Sequence, residues 1–208
     1  MKTRILILTA LAAALLAGCK AQEAREPSAL DVIMTRTSIR SFTGEPVAKE
    51  QLETILKAGM AAPSAINIQP WRFVVLTDQA RIKELLGGGF RSEMFSTAGA
   101  VIVVCGQSTF MRKPWGQPDA PEQLQENIFW YEDCSAAAQN ILLAAHALGL
   151  GAVWTAGYPA MERVQPLALA LGIPEDVIPL CVIPVGVPAE NPEPKDKWKP
   201  ENIHWDKW

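Results

Sequence analysis

A layered domain mixing α-helices with β-strands is what this sequence predicts, and three observations predict it. The chain has 208 residues, room for one domain of ordinary size. Apolar residues make up 49% and charged residues 20%, a globular composition that excludes disorder, collagen and coiled coil as descriptions of the whole. Stretches with helical period alternate along the chain with short, β-branched apolar runs of strand length.

The first segment is a leader, not part of that domain. Lys2 and Arg4 form a basic start, Ile5 to Leu16 an apolar stretch, and small residues follow, the plan of a secretory signal peptide. The stretch is shorter than the ~20 residues that span a bilayer as a helix. Leu16-Ala17-Gly18-Cys19 resembles the lipobox of bacterial lipoproteins, in which the cysteine is acylated and becomes the new N-terminus. A plain secretory signal is the other reading. Residues 1–18 are therefore expected to be removed, residues 19–30 to form a tether, and residues 31–208 to form the domain. Cys19 would be a lipid anchor, the only tie to a membrane, in a bacterial cell envelope. Lys20, where an Asp favours the inner membrane, points to the outer membrane facing the periplasm.

Ser28 and Asp31 stand three apart, a capping-box pattern that starts a short helix ending near Thr35. Lys49 to Ala62 sets Leu52, Ile55, Leu56 and Met60 on one helical face. Trp71 to Leu76 is a β-branched and aromatic strand leaving the Gln69-Pro70 corner. Asp78 caps a helix carrying Ile82, Leu85 and Leu86, stopped by Gly87, Gly88 and Gly89. Ala100 to Cys105 is a buried central strand. Pro121 to Leu148 is the longest periodic stretch, read as one helix closed by Gly149, and from Cys134 onward it is apolar almost all round. Such a helix must be covered in the core or by a partner. Gly151 to Thr155 then predicts a strand, Met161 to Leu171 a helix, and Leu180 to Val185 a last strand. Beyond Pro188, prolines keep the chain extended, and Trp198, Trp205 and Trp208 need a surface to cover. That describes an arm wrapped over the domain or over a partner.

Composition narrows the chemistry. A formal charge of −3 gives no field that would draw nucleic acid. Four cysteines without a CxxC pair make neither a disulfide framework nor a zinc site, and Cys105 and Cys181 sit in apolar runs that favour burial. The two histidines, His146 and His204, are far apart, so a shared metal site or a histidine triad has little support. His146, on the apolar helix, is expected to be a packed and satisfied side chain.

Two segments stand out. Arg36, Ser38 and Arg40 alternate, so an extended backbone turns all three to one face, where two guanidinium groups and a hydroxyl suit a phosphate or planar anion. A solvated basic face at a helix end would show the same spacing. The loop from Pro63 to Pro70 presents Ser64, Asn67 and Gln69, uncharged groups able to read the edge of a heterocycle, though Ser and Asn also belong to ordinary turns. Gly149-Leu150-Gly151 fails as a dinucleotide fingerprint, because Trp154 holds the third glycine position and the segment runs helix to strand. Lys195 and Lys197 alternate in the tail, a pattern that a solvated run also produces.

Together these pieces resemble the nitroreductase family of FMN-dependent oxidoreductases. Arg36, Ser38, Arg40 and Phe42 match its opening motif, and Pro63 to Trp71 match its Pro-Ser-Ser/Ala-x-Asn-x-Gln-Pro-Trp loop. Asp133, Ala137, Gln139, Asn140 and the run from Gly149 to Trp154 resemble its smaller members, as do Pro184-Val185-Gly186 and the basic tail. The resemblance runs from about Asp31 to Trp208. It implies an α+β three-layer sandwich, a central mixed sheet flanked by helices with an extended C-terminal arm, and a homodimer with FMN at the interface. It implies that Arg36, Thr37 and Ser38 grip the phosphate and ribityl end, that Arg40 approaches the N1/O2 edge, and that Lys195 and Lys197 close on the phosphate. Pro63, Ser64, Ala65 and Asn67 would come from the other subunit with Gln69 in support. Thr155, Ala156 and Gly157 would lie near N5, offering backbone groups. Arg91 is the one cation near the position where larger members place Asn and Lys, and it stays outside the set. No side chain is required as acid or base, since the flavin carries the chemistry. The implied activity is ping-pong hydride transfer from NAD(P)H to nitroaromatic, quinone or related acceptors. A specialised flavin reaction (reductive dehalogenation or flavin breakdown) and a non-catalytic FMN-binding envelope lipoprotein are the rival readings.

Overall fold

Val101, Val103 and Cys105 pack on one side of the central strand, and Ala100, Ile102 and Val104 on the other. That two-residue alternation makes a sheet apolar on both faces, and a sheet of this kind needs helices on each side. In the computed structural model, which describes residues 27–88 and 91–208, it has them. The leader, Cys19 and Gly89 lie outside the described residues.

Helix α1 is Ala29–Thr35, with the Ser28–Asp31 capping box formed, which takes Ala29 and Leu30 out of the tether. Helix α2 is Lys49–Met60, strand β1 is Trp71–Leu76, and helix α3, capped by the Asp78 carboxylate, is Gln79–Leu86. A short helix α4, Ser92–Thr97, leads into strand β2, Ala100–Gln107. The sheet runs β1-β2-β7-β5, with β6 also on β7, where β5 is Gly151–Ala152, β6 is Thr155–Ala156 and β7 is Val177–Gly186. Helices α2 and α5 (Trp130–Ala147) cover one face, through Leu52, Ile55, Ala137 and Ile141. Ile82 of α3, Met94 and Phe95 of α4, and Leu167 of α6 (Met161–Leu171) cover the other. The α+β sandwich is thus as expected. Within this chain, however, the sheet is antiparallel rather than mixed, because each strand enters beside the end where its neighbour left: Val101 lies opposite Leu76, and Val177 opposite Gln107.

Two expectations need correction. The long helix starts at Trp130, not Pro121. Gln123–Glu126 (β4) instead pairs with Thr109–Arg112 (β3) as a separate hairpin. Buried Asn127 makes the boundary: its N–H donates to the Ser108 carbonyl, its amide donates to Gln107 and its side-chain oxygen accepts the Phe129 N–H. The strand expected at Gly151 to Thr155 is broken into β5 and β6. Its register is continuous, Ala152 opposite Val185 and Thr155 opposite Val182, and the break falls where Val153 would face Pro184, which has no N–H to give. In the arm, Trp198, Trp205 and Trp208 are 70%, 82% and 98% exposed, so the described residues of this chain do not cover them and a partner is the surface still open to them.

Close packing of α5 on β2 depends on Gly106. A Cβ there would strike the Trp130 ring and come within 2.9 Å of the Cys134 sulfur, neither of which has room to yield. Gly106→Ala should destabilise the domain by about 1–3 kcal/mol, the usual penalty of overpacking. An unchanged urea midpoint would show that the α5–β2 contact relaxes freely.

Candidate functional site

Arg36 leaves α1 in an extended conformation (φ −58°, ψ 127°), and the Ile39 N–H donates to the Ala152 carbonyl, laying the segment along β5. Ile39 is buried, and the residues on either side of it turn outward. Arg36, Thr37, Ser38 and Arg40 then line one cleft of about 1010 Å³, and its opposite wall is the arm from Glu190 to Trp198, including Lys195 and Lys197. Six residues singled out from sequence therefore meet in one place.

The arm is held there by Glu190. Its carboxylate accepts the Arg40 and Ser41 N–H groups, while the Ala189 N–H donates to the Ser41 carbonyl and Pro188 bridges to Phe42. Glu190 had no signal in a proline-rich tail. Its negative charge is engaged by backbone donors, and Asp196 likewise accepts the Trp198 N–H. Among the described residues, Arg36, Arg40, Lys195 and Lys197 form no ion pair. Three carboxylates, Glu190, Glu193 and Asp196, share the cleft, and the four cations that form no ion pair with them, together with two hydroxyl groups, are a donor set that fits a phosphate monoester.

His146 sits beside this cleft, half-buried, its Nε2 2.9 Å from the Thr35 hydroxyl, satisfied as expected. Burial, and then the neighbouring Arg36, hold it below the usual histidine range. Cys105, Cys134 and Cys181 are buried free thiols, and burial pushes the first two up to about 12, so none is a ready nucleophile.

Thr155, Ala156 and Gly157 do not join the arginine cleft. They line a second one of about 790 Å³ between α3 and α6, with Arg91 and Arg163 among its other walls. Arg91, set aside from sequence, thus shares a cleft with the three residues expected near the ring. Two of the groups there are already committed. The Thr155 hydroxyl donates to the Val182 carbonyl at 2.6 Å, and the Gly157 N–H donates to the Leu180 carbonyl, so neither is free for a ligand. Ala156 is the exposed member of the three.

Pro63, Ser64, Ala65, Asn67 and Gln69 line neither cleft. Their loop is nonetheless built with care. The Ser64 hydroxyl accepts the Gln69 N–H at 3.0 Å, and the Gln69 amide donates to Asn67 at 3.1 Å. Ile66, Asn67 and Gln69 have φ of 46°, 58° and 55°, the left-handed region that side chains, β-branched ones above all, rarely adopt. Backbone strain of this kind persists only where the surroundings over-determine it.

The family model described as "Nitroreductase family" matches residues 33–187. A Methanothermobacter thermautotrophicus protein, provisionally named NADH dehydrogenase/NAD(P)H nitroreductase, is 41% identical over 86% of this chain and 87% of its own length. A crystal structure from Bacteroides thetaiotaomicron under the same provisional name superposes with a TM-score of 0.75 at 40% identity, over 86% of this chain and 98% of that one. A structure of a provisionally named nitroreductase from Desulfovibrio desulfuricans, in complex with FMN, gives a TM-score of 0.69 at 32% identity, over 86% and 97%. With three quarters of the sequence inside the family model and relatives this similar along almost their whole length, the chain belongs to the nitroreductase family.

Proposed function

We propose that this protein is an FMN-dependent oxidoreductase that takes hydride from NAD(P)H and passes it to nitroaromatic, quinone or related acceptors in ping-pong order. The observation that carries this reading is the cleft where Arg36, Ser38, Arg40, Lys195 and Lys197 converge, a match for the phosphate end of FMN in a family that includes an FMN complex. Bound FMN supplies the hydride chemistry, and the protein supplies grip, orientation and electrostatics. Arg36, Lys195 and Lys197 hold the phosphate, Thr37 and Ser38 offer hydroxyl donors, and Arg40 stands at the N1/O2 edge. Ala156 and Gly157, in the second cleft, are assigned to the ring as packing surface, since the Gly157 N–H is already bonded to the Leu180 carbonyl.

The Pro63–Gln69 loop completes the site from a second copy of the chain. In support, that loop lies outside both clefts of its own chain, and the arm leaves three tryptophans uncovered. On α1, Leu30, Ile33 and Met34 are exposed too, an apolar stripe suited to a homodimer. The lipid anchor at Cys19 remains part of the proposal and rests on the leader sequence alone. An enzyme anchored in the periplasm would not meet cytosolic NAD(P)H, which makes a membrane quinol the donor to compare.

The purified protein should be a yellow dimer with one FMN per subunit. Mixed in stopped flow without acceptor, NADH, NADPH or a quinol should bleach the flavin fully in one turnover, as ping-pong order requires. A colourless monomer that stays colourless after incubation with FMN would overturn the reading.

A further inference from the structure

Asp133 is the one buried carboxylate of the long helix, and nothing in the proposed chemistry uses it. It lies in the first turn of α5, 7% exposed, where the helix N-terminus favours an anion. Oδ1 accepts the Ala65 N–H at 2.9 Å, while Oδ2 is buried without a hydrogen-bond partner among the described residues. A buried carboxylate with a single protein hydrogen bond is a poor stabiliser of a fold, because desolvation outweighs what one bond returns. What that one bond holds is the informative part.

Ala65 opens the helical turn that contains Ile66 and Asn67, both in the left-handed region. Ile66 is 59% exposed, so burial of its side chain does not drive the strained backbone. Three further backbone N–H groups of the turn bond within the loop: Asn67 N–H to the Ser64 carbonyl, Ile68 N–H to Ala65, Gln69 N–H to the Ser64 hydroxyl. The Asp133–Ala65 bond is the one that ties the turn to the rigid helix, 68 residues away in sequence. Arg72 reaches the loop's other end, donating to the Gln69 carbonyl at 3.3 Å.

We propose that Asp133 is a positioning residue for the flavin site: its Oδ1 pins Ala65 and so fixes the strained Ser64–Gln69 turn in the shape that reads the cofactor. The inference rests on the reading of that loop as part of an FMN site. Preorganising the loop on the helix removes an ordering cost that FMN binding would otherwise have to meet.

The test is FMN titration of apo-protein for wild type, D133A, D133N and A65P. D133A should weaken FMN about tenfold, the scale of a lost hydrogen bond to a charged group. D133N keeps an acceptor oxygen and should bind within about threefold of wild type, a rescue that a role confined to charge would not give. A65P removes the donor from the loop side. Ser64 before it is extended (φ −142°, ψ 154°), which a following proline tolerates. A65P should match D133A, and the double variant D133A/A65P should be no weaker than either alone, since both remove one bond. If D133A is too unstable to study, A65P against wild type and D133N still tests the same bond from the loop side. D133A and A65P binding like wild type, or losses that multiply in the double variant, would overturn the inference. Failure of wild type itself to bind FMN would instead remove the reading of the site on which it stands.

Discussion

Replacing Arg36 and Lys197 together by alanine should reduce FMN affinity about 100-fold and leave the stability of the apo-protein nearly unchanged. Each cation offers a charge-assisted hydrogen bond to phosphate, worth about 1.5–3 kcal/mol. Because both would hold the same group, their losses are not additive, and about 3 kcal/mol is the expected sum, near a 100-fold change. Stability should hold because neither side chain forms an ion pair among the described residues, and Lys197 lies on an exposed arm. Mutual repulsion between the two is relieved in the unliganded variant, which offsets the packing that half-buried Arg36 provides. Fluorescence titration of the apo-protein with FMN beside a thermal melt gives both readouts. Affinity within a few-fold of wild type would place the phosphate elsewhere and remove the arginine cleft from the site.

How much of this was legible in the sequence depends on the range of the interactions that decide each part. Elements fixed by their own periodicity and caps came through well. Asp78 and Ser28 cap the helices assigned to them, and Trp71–Leu76 and Met161–Leu171 have the expected bounds. The β3–β4 hairpin was hidden because Gln123–Glu126 carries a helical pattern, and only its upstream partner Thr109–Arg112 makes it a strand. Tertiary pairing overrides a weak local preference in such cases. At the site, alternation alone placed Arg36, Ser38 and Arg40 on one face, since an extended backbone leaves no other choice. Glu190 and Asp133 act through backbone N–H groups far away in sequence, and no spacing rule reports a contact of that kind. The Gly157 N–H shows the same limit, since a backbone group expected near the ring is already bonded to the Leu180 carbonyl of the neighbouring strand.

Arg40→Ala should lower the midpoint potential of the bound flavin by about 40 mV while oxidised FMN still binds. The guanidinium is placed to make this difference. It is exposed, it forms no ion pair among the described residues, and its one hydrogen bond is a long 3.4 Å contact to the Ser38 carbonyl. Its charge is therefore free to act on a ligand in the cleft. Two-electron-reduced flavin is anionic near N1/O2 and the oxidised ring is neutral, so a cation at that edge favours the reduced form. A charge pair at ~4 Å with an effective dielectric of about 20 interacts by roughly 4 kcal/mol. Solvent exposure should leave about half of that. For a two-electron couple ~30 mV corresponds to ~1.4 kcal/mol, so about 2 kcal/mol becomes about 40 mV. Arg36→Ala should behave in the opposite way, weakening FMN while moving the potential little, because its charge acts on a phosphate that does not change on reduction. Reductive titration against a reference dye separates the two. Equal potentials for wild type and Arg40→Ala would show that this guanidinium does not face the ring, and FMN would then have to lie the other way round in the cleft or outside it.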